Sequence, residues 1–135
     1  MQGLFYKIAA GQIPSYKVAE NEKYFAFLDI APLKKGHTLV IPKDEVDYIF
    51  DLDNESYSGL MLFSKQVAIA IKKVIPCKRV SVQVIGLEVP HAHVHLIPID
   101  GMSDCSFSNE KLKLSKEEFE VIAKKINEAF NKLNG

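Results

Sequence analysis

Three of the four histidines lie within residues 90–98, and they occupy every second position there. The stretch reads PHAHVHLIP, so His91, His93 and His95 alternate with apolar residues. Because successive side chains of a β-strand point to opposite faces, a strand would gather the three imidazoles on one face and send the apolar side chains into the core. Neighbouring imidazoles would stand roughly 7 Å apart. Partly solvated histidines add nothing to the packing of a sheet, so the row indicates chemistry.

Three interpretations of this row compete. The histidines are simply exposed polar residues, or two of them share a zinc ion as an HxH pair, or one of them is a nucleophile that attacks phosphorus. A neutral imidazole is a good nucleophile at about neutral pH, and its neighbours can fix its tautomer and donate protons. The strict alternation of a rare residue favours the third interpretation over the other two.

The strands that must position this row are indicated by runs of β-branched and aromatic residues. Five strands are predicted, at residues 16–20, 23–29, 38–41, 79–85 and 89–97. Short connections link several of them in pairs, which favours a mostly antiparallel sheet. Residues 101–114 are polar and are predicted to form a loop.

Two long helices are predicted, beside a short helical segment at residues 4–12 that Gly11 stops. The first long helix starts at Asp53 as N-cap and ends before Pro76. Its expected buried face is Tyr57, Leu60, Met61, Ser64, Val67, Ala68 and Ile71. The last helix begins with a capping box of Ser115 and Glu118. The order of elements predicts one α+β domain over residues 1–135, with a five-stranded sheet and two main helices.

The composition narrows the possible partners and compartments. The 17 basic and 17 acidic residues balance, so neither a nucleic acid nor a membrane surface is expected as the main partner. Arg79 is the single arginine, so phosphate contacts are expected from histidine, lysine or backbone N–H groups rather than from an arginine clamp. Cys77 and Cys105 form no CxxC pair and are expected as reduced thiols. No signal peptide or membrane-spanning run is visible, so a cytoplasmic location is expected.

The sequence resembles the histidine triad family, whose signature is HxHxH with apolar residues between the histidines. Two earlier stretches, FLDIAP at residues 27–32 and GHTLVIPK at residues 36–43, look like the family's preceding motifs in the same order. LFYKI at residues 4–8 with GQIP at residues 11–14 is similar to its N-terminal segment. The resemblance extends to about residue 99 and implies the histidine triad fold.

The resemblance also implies roles for the histidines. His93, the middle histidine, would attack the α-phosphorus of a nucleotide and form a nucleotidyl-histidine that water hydrolyses. The backbone carbonyl of His91 would hold the ring of His93, and His95 would contact the phosphate near the leaving group. His37 matches a histidine beside the triad, although a lone histidine before a buried strand is equally expected as a structural residue.

Further positions match the family's nucleotide site. Asp29 matches the residue that binds the ribose hydroxyls, and its alternative role is that of a turn residue before Ala31 and Pro32. The residues that match the apolar base pocket are Leu4, Phe5, Ile8, Phe27 and Ile30. Contacts to the phosphate are expected from Gln83 and from the chain near Glu88.

Two departures from the family pattern stand out. Many relatives bind zinc through an N-terminal CxxC pair, but Gly3 and Tyr6 occupy those positions here, so neither a metal nor another cofactor is expected. The loop before the triad, residues 81–88, is short and holds one glycine, and Leu87 stands where glutamine is common. The second departure affects the expected rate and leaving group more than the fold.

The function that these observations favour is hydrolysis of nucleoside phosphoramidates or related nucleotides at the α-phosphate. A dinucleoside polyphosphate hydrolase, a metal-dependent hydrolase and a nucleotide- or partner-binding protein with weak catalysis are the alternatives. The expected ligand is a purine nucleotide such as AMP or GMP. The resemblance also implies a homodimer, so a second copy of the chain is expected as partner, and pairing would cover an exposed sheet edge.

Overall fold

A computed structural model describes residues 2–135 and contains one five-stranded sheet with strand order β1-β2-β3-β5-β4. Every neighbouring pair is antiparallel, as predicted. The strands are β1 Lys17–Glu20, β2 Tyr24–Leu28, β3 Thr38–Pro42, β4 Arg79–Gln83 and β5 Val94–Ile99. The sheet therefore places the triad strand β5 between β3, which carries the second motif, and the edge strand β4.

Three α-helices accompany the sheet: α1 Leu4–Ala9, α2 Asn54–Val74 and α3 Lys116–Asn134. Both predicted caps form. The Asp53 carboxylate accepts from the Ser56 N–H at 2.8 Å, and Ser115 and Glu118 cap each other at 3.1 Å. Such caps satisfy N–H groups that have no partner within the helix. No helix within residues 2–135 is long and apolar enough to cross a membrane.

The two faces of the sheet have different covers. Helices α2 and α3 pack on one face and on each other, and the smaller apolar cluster around α1 covers the other face. The buried face of α2 is wider than predicted, because the helix contacts both the sheet and α3. Phe63 is buried against Phe130 of α3, with ring centroids 5.5 Å apart, whereas Tyr57 in the first turn is 36% exposed.

The strand predicted at residues 89–97 begins only at Val94, which corrects the expectation for the first two triad histidines. Pro90 has no N–H for a ladder. The N–H groups of His91 and Ala92 donate to Val89 and Val46 at 2.8 and 2.7 Å, so the chain bends locally instead of pairing with β3. The strand predicted at 79–85 likewise ends early, at Gln83, and the loop predicted at 101–114 contains a 3₁₀ turn, Met102–Cys105.

Candidate active site

The three triad histidines are buried, not partly solvated as the sequence suggested. His91 is 2% exposed, and His93 and His95 are each 7% exposed. The ring centroids of His93 and His95 lie 4.9 Å apart, closer than the spacing of roughly 7 Å expected from an extended strand. His93 itself precedes β5. Phe5 of α1 packs edge-on against His91 and His93, with its ring centroid 6.0 and 5.2 Å from theirs. The triad thus lies in a site from which α1 excludes much of the water.

Hydrogen bonds to the main chain fix the tautomers of the first two histidines. His93 Nδ1 lies 2.7 Å from the His91 carbonyl oxygen, so Nδ1–H donates and Nε2 keeps its lone pair. His91 Nε2 lies 2.7 Å from the Pro42 carbonyl oxygen and donates to it in the same way. His91 Nδ1 is buried without a hydrogen-bond partner among the described residues. In the neutral ring of His93 the proton therefore lies on Nδ1 and the lone pair on Nε2, which is the tautomer that a nucleophile requires.

His37 sets the tautomer of His95. The Leu33 N–H donates to His37 Nδ1 at 3.0 Å, so the proton of His37 must be on Nε2. His37 Nε2 lies 3.0 Å from His95 Nδ1 and donates to it, which leaves the proton of His95 on Nε2. Burial lowers the pKa of His37 to about 3 and that of His95 to about 4, so both rings are neutral at physiological pH. His95 therefore has an N–H available for donation.

The two carboxylate oxygens of Asp29 have different surroundings. Oδ1 accepts from the Ala31 N–H at 2.9 Å, which is the turn geometry that the sequence offered as an alternative. Oδ2 lies 3.6 Å from His37 Nε2, and because His37 is neutral this contact is not an ion pair. Burial raises the pKa of the Asp29 carboxyl. Asp29 can thus be a turn residue and still present one oxygen to a ligand.

Asp29, His37 and His95 also lie close enough to be tested as a metal site, because one ligand atom of each falls within 4.8 Å of the others. A histidine that binds a metal normally donates its other N–H to an acceptor. His37 does the reverse, because its Nδ1 accepts from Leu33 and its Nε2 holds the proton. The Nε2 lone pair that a cation needs is therefore not available without loss of the Leu33 bond. Gly3 and Tyr6, at the positions of the family's CxxC pair, supply no thiolate.

The apolar residues predicted for the base pocket separate into two groups. Phe5, Ile8 and Phe27 are buried in one cluster, with the Phe5 and Phe27 rings 5.4 Å apart. Leu4 and Ile30 are 49% and 74% exposed and lie outside that cluster. The sequence did not single out the other buried members of the cluster, which are Phe25, Leu39 and Ile41. Phe5 connects the cluster with the triad, because it packs on both.

Of the two residues predicted for phosphate contacts, Gln83 is already hydrogen-bonded within the protein and Glu88 is exposed. Gln83 pairs with His95 across β4 and β5, but its side-chain N–H donates to the Cys105 carbonyl at 3.2 Å. The pKa of Asp29 is raised mainly by the burial of Asp29 itself, and the negative charge of Glu88 raises it further. Gly86 has φ +71°, a conformation that suits glycine. The amide of Gln83 is thus engaged with the segment after β5 rather than free beside the triad.

That segment contains two site residues that the sequence analysis missed. The Phe107 ring lies 4.8 Å from the ring of His95 and 6.2 Å from that of His37. Burial, the largest cause, raises the pKa of Asp29 and lowers the pKa of His37. The positive charge of Lys111 is a smaller cause that lowers both pKa values. The available signal was one aromatic residue within an otherwise polar stretch, and it says nothing about which histidine that residue contacts.

Comparisons with known proteins agree with this geometry. The sequence pattern of the HIT domain family matches residues 10–102. An uncharacterized HIT-like protein from Borreliella burgdorferi is 33% identical over 131 residues, which cover 91% of this chain and 94% of that protein. The adenosine 5'-monophosphoramidase hnt1 of Schizosaccharomyces pombe is 38% identical over 99 residues, 73% of this chain and 74% of that one.

Solved structures give the same result. The crystal structure of a hypothetical histidine triad nucleotide-binding protein from Sulfolobus tokodaii superposes with a TM-score of 0.81 at 30% identity, covering 96% of this chain and 92% of that chain. With a family match over most of the sequence, relatives above 30% identity and the same fold, the chain belongs to the HIT domain family, the histidine triad family that its motifs indicate.

Proposed function

We propose that the protein is a nucleotide hydrolase that cleaves nucleoside phosphoramidates at the α-phosphate, with His93 as nucleophile. The observation that carries the proposal is the tautomer of His93. Its Nδ1–H donates to the His91 carbonyl at 2.7 Å, so in the neutral ring the lone pair is on Nε2. The phosphoramidase activity named for the Schizosaccharomyces pombe relative supports this choice of reaction.

The first step forms a bond between His93 Nε2 and the α-phosphorus and breaks the bond from phosphorus to the amine nitrogen. The departing nitrogen needs a proton, and the donor that we assign is His95 Nε2–H, since Nδ1 of that ring is engaged by His37. The positive charge that develops on the phosphorylated ring of His93 offsets the negative charge that His95 acquires when it loses its proton.

The second step returns the enzyme to its starting state. A water molecule attacks phosphorus, the bond to His93 Nε2 breaks, and the nucleoside monophosphate is released. The proton of that water goes back to His95. Division of one displacement into two easier steps is the advantage of covalent catalysis. The reaction consumes one water and produces one amine and one nucleotide, and neither step requires a metal.

The nucleotide itself would be held on the α1 side of the sheet. The cluster of Phe5, Ile8 and Phe27 is the apolar surface beside the triad on which a purine base can pack. Asp29 Oδ1 accepts from the Ala31 N–H at 2.9 Å, whereas Oδ2 lies 3.6 Å from His37 Nε2. Oδ2 would therefore accept from the ribose hydroxyls. Leu4 and Ile30 remain exposed in the chain alone and are proposed to contact the same base.

The decisive experiment combines turnover with chemical trapping. His93→Ala should abolish hydrolysis of an adenosine phosphoramidate and keep nucleotide binding, whereas His91→Ala and His95→Ala should lose roughly a hundred- to ten-thousand-fold in rate. Wild-type protein that is quenched during turnover should carry a nucleotidyl group on His93, labile in acid and stable in alkali. An adduct on His91 or His95, or substantial turnover by His93→Ala, would refute the assignment.

The same assay separates phosphoramidates from dinucleoside polyphosphates as substrates. We expect a higher kcat/KM for the adenosine phosphoramidate than for a diadenosine polyphosphate. The reverse order would indicate the polyphosphate hydrolase. A wild-type rate no higher than that of His93→Ala would indicate a binding protein.

We also propose that two copies of the chain pair through β4. This strand is an unpaired edge, and Val82 on it and Val84 just beyond it are 52% and 39% exposed. Leu62 of α2 is 63% exposed. Phe50, 68% exposed, lines a cavity of about 250 Å³ that also includes Val84. Pairing would satisfy the edge of the sheet and cover these apolar side chains.

A further inference from the structure

Phe107 covers the hydrogen-bonded pair of His37 and His95. Its ring approaches the ring of His95 at 4.8 Å with an interplanar angle of 72°, and the ring of His37 at 6.2 Å with 74°. Both are edge-type aromatic contacts, which are favourable beyond the area that they bury. The pair that Phe107 covers determines which nitrogen of His95 carries the proton.

Four hydrogen bonds hold the segment that carries Phe107. The Lys111 ammonium donates to the carbonyls of Phe107 and Asn109 at 2.6 and 3.0 Å. The Gln83 amide donates to the Cys105 carbonyl at 3.2 Å, and the Leu112 N–H donates to the Pro32 carbonyl at 2.8 Å. The ring is therefore fixed from its own segment, from β4 and from the loop before β3.

This segment lies beyond the part of the chain that the family pattern describes. The match to the HIT domain ends at residue 102, and Phe107 follows five positions later. The triad itself comes from the matched part. The ring that covers its third member thus lies outside the pattern, and nothing in the family match assigns it a role.

We propose that Phe107 is a positioning residue for His95: its ring keeps water from the His37–His95 hydrogen bond and so holds the proton of His95 on Nε2, where the departing amine needs it. Water at this bond could donate to His95 Nδ1 or accept from His37 Nε2–H, and either contact would loosen the orientation of the His95 ring. A hydrogen bond shielded from water is also electrostatically stronger than an exposed one. The inference rests on the proposed role of His95 as proton donor.

The charged and titratable groups around His95 are few. The ring centroid of His93 lies 4.9 Å from that of His95, and His37 Nε2 lies 3.0 Å from His95 Nδ1. Asp29 Oδ2 lies 3.6 Å from the same His37 nitrogen, and the charge of Lys111 also acts on His37. Burial is the main cause that lowers the pKa of His95 to about 4, and the charge of His93 is the second. Removal of the Phe107 ring lessens the burial, so the pKa of His95 should move up towards 6.5, its ordinary value.

The test uses three variants of the full chain. Phe107→Ala removes the ring, Phe107→Leu keeps an apolar cover, and Met102→Ala removes a large side chain that is 94% exposed on the same segment. Nitrogen-15 NMR of the imidazoles reports the tautomer and the pKa of His95 directly and does not depend on turnover. Steady-state kinetics with an adenosine phosphoramidate reports kcat and KM.

We expect Phe107→Ala to mix the two His95 tautomers, to raise the His95 pKa and to lower kcat about ten- to a hundred-fold with little change in KM, since loss of a positioned acid affects the chemical step. Phe107→Leu should recover most of the rate, and Met102→Ala should behave as the wild type. If Phe107→Ala does not fold, Phe107→Gln replaces it, because glutamine keeps much of the bulk but brings a polar group to the histidine pair. A Phe107→Gln protein with wild-type tautomer, pKa and kcat would overturn the proposal.

Two other results would also overturn the inference. An unchanged His95 tautomer and pKa in Phe107→Ala would show that the ring does not protect the pair. A higher KM at unchanged kcat would show that the ring contacts substrate instead. Failure of the proposed function has a different signature: His93→Ala would still turn over substrate, while the NMR response of His95 to Phe107→Ala would remain.

Discussion

Replacement of Asp29 by asparagine should reduce the preference of the protein for ribonucleotides over 2′-deoxyribonucleotides. The substitution is chosen because the amide oxygen of the introduced side chain can still accept from the Ala31 N–H, a bond that measures 2.9 Å in the native chain. The turn is then preserved, and the change is confined to the second carboxylate oxygen. That oxygen becomes an NH₂ group, which cannot accept from a ribose hydroxyl.

The size of the effect follows from the surroundings of the two oxygens. Because Oδ1 is engaged by Ala31, Oδ2 would be the main acceptor for the sugar under the proposed role of Asp29. A hydrogen bond to a charged group contributes about 1.5–3 kcal/mol, which corresponds to roughly a ten- to 150-fold preference for the sugar that has the additional hydroxyl. In Asp29→Asn, we expect that preference to fall to roughly two- to twelve-fold, because a neutral hydrogen bond is worth only about 0.5–1.5 kcal/mol.

The free energy of unfolding of Asp29→Asn should not fall, although its affinity for ribonucleotides does. Burial raises the pKa of Asp29, so the folded state binds the proton more tightly than the unfolded state does, and stability falls as pH rises through the native pKa. The asparagine amide is uncharged, so Asp29→Asn does not incur the free-energy cost of burying an ionised carboxylate. The variant should therefore be at least as stable as the wild type at neutral pH, although it binds ribonucleotides more weakly.

Calorimetric titration with AMP, GMP and their 2′-deoxy forms measures the preference, and thermal unfolding of the free proteins provides the stability control. Asp29→Ala serves as the second variant, because it removes the turn bond as well. Equal losses of affinity for both sugars, accompanied by a lower melting temperature in both variants, would show that Asp29 only holds the turn and that the ribose assignment is wrong.

Three further predictions follow from the same geometry. Hydrolysis should be unaffected by EDTA, since the proposed mechanism uses only imidazole nitrogens; loss of activity that zinc restores would contradict this. Acid should destabilise the fold from pH 6.5 down to about 3. The native pKa values of His37 and His95 are about 3 and about 4, whereas histidines of the unfolded chain take up protons near 6.5. Each histidine adds up to about 1.4 kcal/mol per pH unit, so urea unfolding of His37→Asn should show a shallower loss, and an equal loss would count against buried neutral rings. Sedimentation should find a dimer at micromolar concentration, and Val82→Lys on the edge strand should shift it towards monomer; a wild-type monomer would refute the pairing of β4.

The sequence predicted the sheet well because its signals are local. The strand-forming runs and the caps at Asp53 and Ser115 each depend on a few neighbouring residues. The alternation of the histidines with apolar residues placed the start of the last strand too early, because only His95 of the triad lies in β5. Antiparallel pairing followed from the short connections. The histidine motif and the two motifs before it were sufficient to predict the family.

Features that depend on long-range contacts could not be predicted in the same way. The bend before β5 needs the Val46 carbonyl as acceptor for the Ala92 N–H, and these residues are far apart in the chain. The wider buried face of α2 depends on contact with α3 through Phe63. Phe107 reaches His37 from a distant, polar part of the sequence. Neither periodicity nor composition contains this information.

The hydrogen bonds that orient the histidines have a consequence for how such a site can change in evolution. The proton positions of His37, His91 and His93 are set by main-chain groups of Leu33, Pro42 and His91. Main-chain groups persist whatever side chain a mutation introduces, so the sequence around the site can diverge widely while the imidazoles keep their tautomers. Insertions and deletions have the opposite effect, because a shift of one residue within β3, or between Val89 and β5, would displace the carbonyl itself. Lineages of this site should therefore tolerate substitution far better than a change in length.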